Sequence, residues 1–184
     1  MEAILAPLTE EFYNFTPFEN SLVFVGITLV FMIMYALITQ FSKYVQDRTL
    51  IAIGLLFEFI ALTLASLIFI FIESPPLWLF IFSVCFFVIG LPFFFCCTGS
   101  LLTKLVDDSD VGFASGLLSS VTNLGNIFGP IWAGTFEIEY WLPFVGELGI
   151  VVILIFVFSI SFSKLYIPKD ATPKVPEEEE KLIN

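Results

Sequence analysis

Residues Thr49–Ile72 read TLIAIGLLFEFIALTLASLIFIFI, 24 residues with a single charge, Glu58. About 20 apolar residues are needed to cross the hydrocarbon core of a bilayer as a helix, so this stretch is read as a membrane span. It does not alternate polar and apolar positions, which a transmembrane β-strand of about ten residues would have to do. Four further runs of the same kind flank it, at Ser21–Phe41, Leu77–Val106, Gly112–Phe136 and Pro143–Tyr166. The expected fold is an all-α membrane protein with five transmembrane helices over residues 21–166, preceded by a lumenal or extracellular loop at 1–20. Residues 167–184 hold three prolines and the run EEEE and are expected to form a disordered, acidic cytosolic tail.

The composition agrees. The chain has 184 residues, 58% hydrophobic and only 14% charged, against roughly 25% charged in soluble domains. Its net charge of −11 lies in short loops and the tail, and no basic surface for nucleic acid is visible. With no histidine, zinc and histidine-based acid–base chemistry are nearly excluded. Cys85, Cys96 and Cys97 share one span and read as small packing residues. No cofactor, metal site or catalytic constellation emerges, so an enzyme is not expected.

Orientation follows from the linkers. Lys43, Arg48, Lys104, Lys164, Lys169, Lys174 and Lys181 all fall in one alternating set of loops, while Glu2, Glu10, Glu11, Glu19, Glu73, Glu137 and Glu139 fall in the other. Lysine and arginine in short loops accumulate on the cytoplasmic side. The basic side is therefore cytoplasmic, and residues 1–20 lie outside or in a lumen. On that side Asn14-Phe15-Thr16 is an N-glycosylation sequon, followed by Pro17. Residues 1–20 read as an exposed connector, with Thr9 before Glu10 and Glu11 as a helix start.

The span Gly112–Phe136 differs from the others in carrying Gly112, Gly116, Ser119, Ser120, Asn123, Gly125, Asn126, Gly129 and Gly134. Gly116, Ser119, Asn123, Asn126 and Pro130 fall near one helical face, which is not expected to meet lipid. Two readings stand: close helix packing through small residues, or a hydrated path lined by Asn123, Asn126 and Ser119. Gly90, Pro92 and Gly99 mark a bend or a packing kink in the preceding span. Glu58 is a candidate protonatable group, since an ionised carboxylate at mid-membrane is costly and no basic residue lies at its depth. Its expected resting state is the neutral acid. Glu147, five residues into the last span, can reach the outer interface.

Between the first two spans, KYVQDRTL holds Asp47 and Arg48. This turn resembles the cytoplasmic signature of the major facilitator superfamily, a glycine-x-x-x-aspartate-arginine turn, with Lys43 and Leu50 standing where that pattern has glycine. PLTEEFYNFT, SKYVQDRTLIAIG, GLP and GNIFGPIWAG are similar to the lysosomal branch of that superfamily linked to neuronal ceroid lipofuscinosis. The resemblance implies twelve spans in two six-helix halves, of which this chain would supply helices 8–12. It would then be a fragment whose amino-terminal half and seventh helix lie elsewhere. It implies that Asp47 and Arg48 hold neighbouring helix ends together, and that the helix bearing Asn123 and Asn126 faces the central path. The expected function is transport of a small molecule or ion by alternating access in an endolysosomal membrane. An anion-channel-like protein of the same fold and a non-transporting scaffold are the alternatives. Glu178, Leu182 and Ile183 fit the acidic dileucine pattern read by cytosolic sorting adaptors, which are therefore expected partners alongside the bilayer, the substrate and the missing half.

Overall fold

In an apolar solvent each backbone N–H and C=O must find its partner within the chain, and a continuous apolar run does so by coiling into a helix. The computed structural model describes residues 2–42, 44–72, 74–107, 109–134 and 141–165. Among them are six helices and no strand: α1 Glu2–Tyr13, α2 Pro17–Phe41, α3 Asp47–Phe71, α4 Leu77–Leu105, α5 Val111–Gly134 and α6 Trp141–Ser161. By length and composition four of these, α2, α3, α4 and α6, are apolar enough to cross a membrane. The 24 residues of α5 would reach about 36 Å at 1.5 Å per residue. Its glycines, serines and asparagines, rather than its length, keep it outside that set.

The centre of the bundle is one stripe of α3. Ile51, Gly54, Glu58, Ala61, Ala65 and Ile68 are all buried and recur at the three- and four-residue spacing that stacks side chains on one helical face. Helices α4 and α6 cover this stripe. Against α4 the approach is close enough to require glycine on both sides: a Cβ on Gly54 would sit 2.8 Å from the Phe93 Cβ, and one on Gly90 would sit 3.0 Å from the Phe57 Cβ. Beyond the crossing the Ser83 hydroxyl donates to the Ala61 carbonyl at 2.9 Å, and Phe57 stacks on Phe93.

Two apolar clusters lie along α3. One joins Leu50, Ile51 and Leu55 to Ile38, Cys97 and Leu101. The other joins Leu62 and Ala65 to Phe80, Phe144 and, from α1, Ile4, Leu5 and Leu8. Phe69 ties the second cluster together, stacked on Phe144 at 5.3 Å and edge-on to Phe80 at 5.8 Å. The start of α3 meets the ends of α2, α4 and α6, and its end meets the starts of α4 and α6, so α3 runs antiparallel to all three.

Within residues 1–20, read from the sequence as an exposed connector, a helix packs against the bundle. Residues 2–13 form α1, with Leu8 fully buried and Ile4 and Leu5 nearly so. Thr9 does not start a helix. It lies inside α1, buried, its hydroxyl 2.9 Å from the Leu5 carbonyl and 2.5 Å from Asn20 Oδ1, which pins α1 to α2. A 12-residue helix of about 18 Å is too short to announce itself as a span, and its acidic end hid the apolar face. Asn14 ends it with φ 53°, the left-handed conformation asparagine tolerates. Helix α2 starts at Thr16, whose hydroxyl accepts from the Glu19 N–H while the Glu19 carboxylate accepts from the Thr16 N–H.

Candidate functional site

At 100° per residue α5 has three distinct faces. Ala114, Ser115, Leu118 and Thr122 are half-buried and turn toward the bundle. Phe113, Leu117, Val121, Leu124, Phe128 and Ile131 form a broad exposed apolar face. Between them, Gly116, Ser119, Asn123, Asn126 and Pro130 share the third face, and all five are exposed. No residue of α5 is buried. A Cβ added at Gly112, Gly116, Gly125 or Gly129 would meet nothing within 4 Å.

The close packing that these small residues permit is therefore not made among the described residues. At its far end α5 does pack, where Trp132 fills the space over Gly146 of α6. A face of glycine, hydroxyl and carboxamide groups left open on an otherwise apolar helix is poorly suited to lipid. It can offer hydrogen bonds to water or solute, or let another helix approach closely.

A second constellation occupies the end of the bundle where α3 begins. Asp47 is buried, its Oδ1 accepting from the Ser42 hydroxyl at 2.8 Å and its Oδ2 from the Ser100 hydroxyl at 2.9 Å and from Lys104 Nζ at 2.6 Å. One carboxylate thus joins the end of α2, the start of α3 and the end of α4. Helix dipoles favour this arrangement, since an acid sits at a helix start and a base in a last turn. Arg48 completes the set, donating from Nε to Gln46 Oε1 at 2.7 Å and from Nη1 to the Phe162 carbonyl at 3.1 Å, with its guanidinium 4.6 Å from the Phe162 ring centre. The pairing roles of Ser42, Ser100 and Lys104 were not read from the sequence. Lys104 is 57 residues from Asp47, and only the fold brings them together.

Glu58 lies apart from both places, on the buried stripe of α3 between the two apolar clusters. It is 8% exposed, and its Oε1 has no hydrogen-bond partner. Asn14 is exposed at the turn between α1 and α2. Glu178, Leu182 and Ile183 lie outside the described residues, as does Lys43. The described residues contain no group of three or more metal-ligating side chains. Cys85, Cys96 and Cys97 are free, Cys97 being buried in the first cluster. Two apolar grooves of about 290 and 310 Å³ run along α2 where it meets α4, sharing Leu5, Ile27, Val84 and Val88 among their linings.

A family model described as Major Facilitator Superfamily matches residues 2–184. Comparison with curated proteins and with solved structures gave no match.

Proposed function

The chain belongs to the major facilitator superfamily, and from that premise we propose that it forms the carboxy-terminal helices of a membrane transporter that moves a small solute by alternating access in an endolysosomal membrane. The observation that carries this reading is the uncovered small and polar face of α5. In the superfamily's architecture two bundles rock against each other around a path at the membrane midplane, and such a path needs a helix whose polar face is left open by its own bundle. Asn123, Asn126 and Ser119 are the side chains assigned to the path. Carboxamides and a hydroxyl can both donate and accept, which suits a polar solute or a hydrated ion. A second bundle, contributed by an amino-terminal half, closes the path from the other side.

The Asp47–Arg48 cluster acts in this reading as the latch at the cytoplasmic end. It binds four helix ends through one carboxylate and one guanidinium, so α2, α3, α4 and α6 are held together at that end of the bundle, while no residue of α5 is buried. The endolysosomal address rests on Glu178, Leu182 and Ile183, and glycosylation is assigned to Asn14, which lies exposed opposite the basic end.

The test is the solute content of endolysosomes purified from cells lacking the protein, compared with cells given it back. One solute class should change on loss and return with the wild type but not with the double variant Asn123→Leu/Asn126→Leu. Full recovery with the double variant, at equal abundance in the same membrane, would remove α5 from the path.

A further inference from the structure

The buried stripe of α3 carries two acids, and the bundle treats them oppositely. Asp47 receives a lysine and two hydroxyls. Glu58, eleven residues or about three turns further along the same face, is nearly as buried yet leaves Oε1 with no partner. A buried carboxylate with an unpaired oxygen carries a penalty of several kcal/mol if ionised, and a buried ion without compensation sheds its charge instead.

We propose that Glu58 is a proton-binding site, set apart from the α5 face, whose carboxyl group holds a proton while the seam of α3, α4 and α6 is closed and releases it when that seam opens. The reaction is proton loss from a carboxylic acid to water, with no other bond made or broken.

The surroundings are suited to a proton and to little else. Glu58 interrupts the core: Leu55 belongs to the apolar cluster on one side of it and Leu62 to the cluster on the other. One turn away, Gly54 and Gly90 bring the α3 and α4 backbones into contact, so small relative movements of the two helices are felt directly beside Glu58; the Gly90 Cβ position lies 3.3 Å from the Glu58 N–H nitrogen. A cation would need several oxygen ligands, and the described residues provide no such group of carboxylates.

The charged and titratable groups around it are few. From α4 come Cys85, Cys96 and Cys97, and Lys104 at the end, committed to Asp47. From α6 comes Glu147, which acts on Glu58 electrostatically. On α1, Glu10 and Glu11 are exposed and the Tyr13 hydroxyl donates to the Pro75 carbonyl. On α3 itself, Asp47 and Arg48 are bound within their own cluster. The transport reading is needed only for the use of this proton as a coupling ion.

Infrared spectroscopy of the protein in lipid nanodiscs reads the proton directly, through the carbonyl stretch of a protonated carboxyl group. At neutral pH wild type should show such a band, absent from Glu58→Gln and retained in Glu147→Gln. A neutral-pH spectrum without a Glu58-dependent band overturns the proposal. Thermal unfolding provides a readout that does not need the variant: in wild type the midpoint should fall as pH rises from the ordinary carboxylate range toward the pH at which the band is lost, and level off above it. A midpoint that is already level between the ordinary carboxylate range and the pH at which the band is lost also overturns it. If the band is present but the pH dependence of transport is the same in Glu58→Gln, the proton site stands and only its use in coupling is lost.

Discussion

Gly54→Ala places a methyl group where α3 and α4 cross. Its carbon would lie 2.8 Å from the Phe93 Cβ, 3.2 Å from the Gly90 carbonyl oxygen and 3.3 Å from the Phe94 nitrogen. Two of these neighbours are backbone atoms and the third is a β-carbon, so no flexible side-chain tip can swing aside. Carbon atoms pack best at about 3.5–4.0 Å, so the helices must separate by roughly 0.7 Å or more, loosening contacts along the whole seam. Overpacking of this kind costs about 1–3 kcal/mol. Replacing a helical glycine with alanine returns about 0.5–1 kcal/mol, so the net loss is about 0–2.5 kcal/mol. Gly116→Ala on α5 is the matched control: it makes the same chemical change with nothing within 4 Å, and should be neutral or slightly stabilising. Reversible unfolding in mixed micelles, followed by tryptophan fluorescence, measures both. Equal stability of the two variants would refute the claim that this crossing is glycine-limited.

Lys104→Met removes the lysine that pairs with the buried Asp47 carboxylate and leaves the two hydroxyls in place. Breaking a fully buried pair costs about 3–5 kcal/mol, but the lysine side chain is 36% exposed, so screening reduces the expected loss to about 1–2 kcal/mol. The double change Asp47→Asn/Lys104→Met should recover part of that loss in the same unfolding assay, and no recovery would argue against the pairing. Tyr13→Phe tests how α1 is held. It removes the bond to the Pro75 carbonyl, worth about 0.5–1.5 kcal/mol. Burial pushes the Tyr13 phenol up from its ordinary value of 10.0. Its contribution is therefore complete below about pH 10 and is lost as pH rises through the higher folded value, so Tyr13→Phe should flatten that alkaline decline. Thr16→Ala removes the cap of α2 and should cost about 1 kcal/mol, read as faster hydrogen exchange at Phe18 and Glu19.

The long apolar helices α2, α3, α4 and α6 were legible because an apolar run such as Thr49–Ile72 leaves a membrane chain one way to satisfy its backbone. Asp47 and Arg48 stood out because they interrupt two such runs, but their place at the helix ends was suggested only by the resemblance to the superfamily's signature turn. The partners of Asp47 were not legible, because Ser100 and Lys104 come from another helix and their spacing encodes no contact. Helix α1 was missed for a related reason: Ile4, Leu5 and Leu8 form an apolar face only when Phe80, Leu62 and Phe144 are there to receive it. Gly90 was noted as a bend signal, whereas the fold uses it with Gly54 as a contact point. For α5 the sequence showed which residues share a face. It could not show that the rest of the bundle would leave that face open.

The central claim is that the Asn123 face of α5 meets water while its other exposed face meets lipid. Single cysteines at Asn123, Asn126 and Ser119, and at Leu117, Leu124 and Phe128, in a protein whose Cys85, Cys96 and Cys97 are replaced by serine or alanine, can be labelled in native membranes with a small charged thiol reagent. Rapid labelling is expected at the first three, slowed by a transported solute, and little labelling at the second three. Equal protection of both sets would contradict that claim.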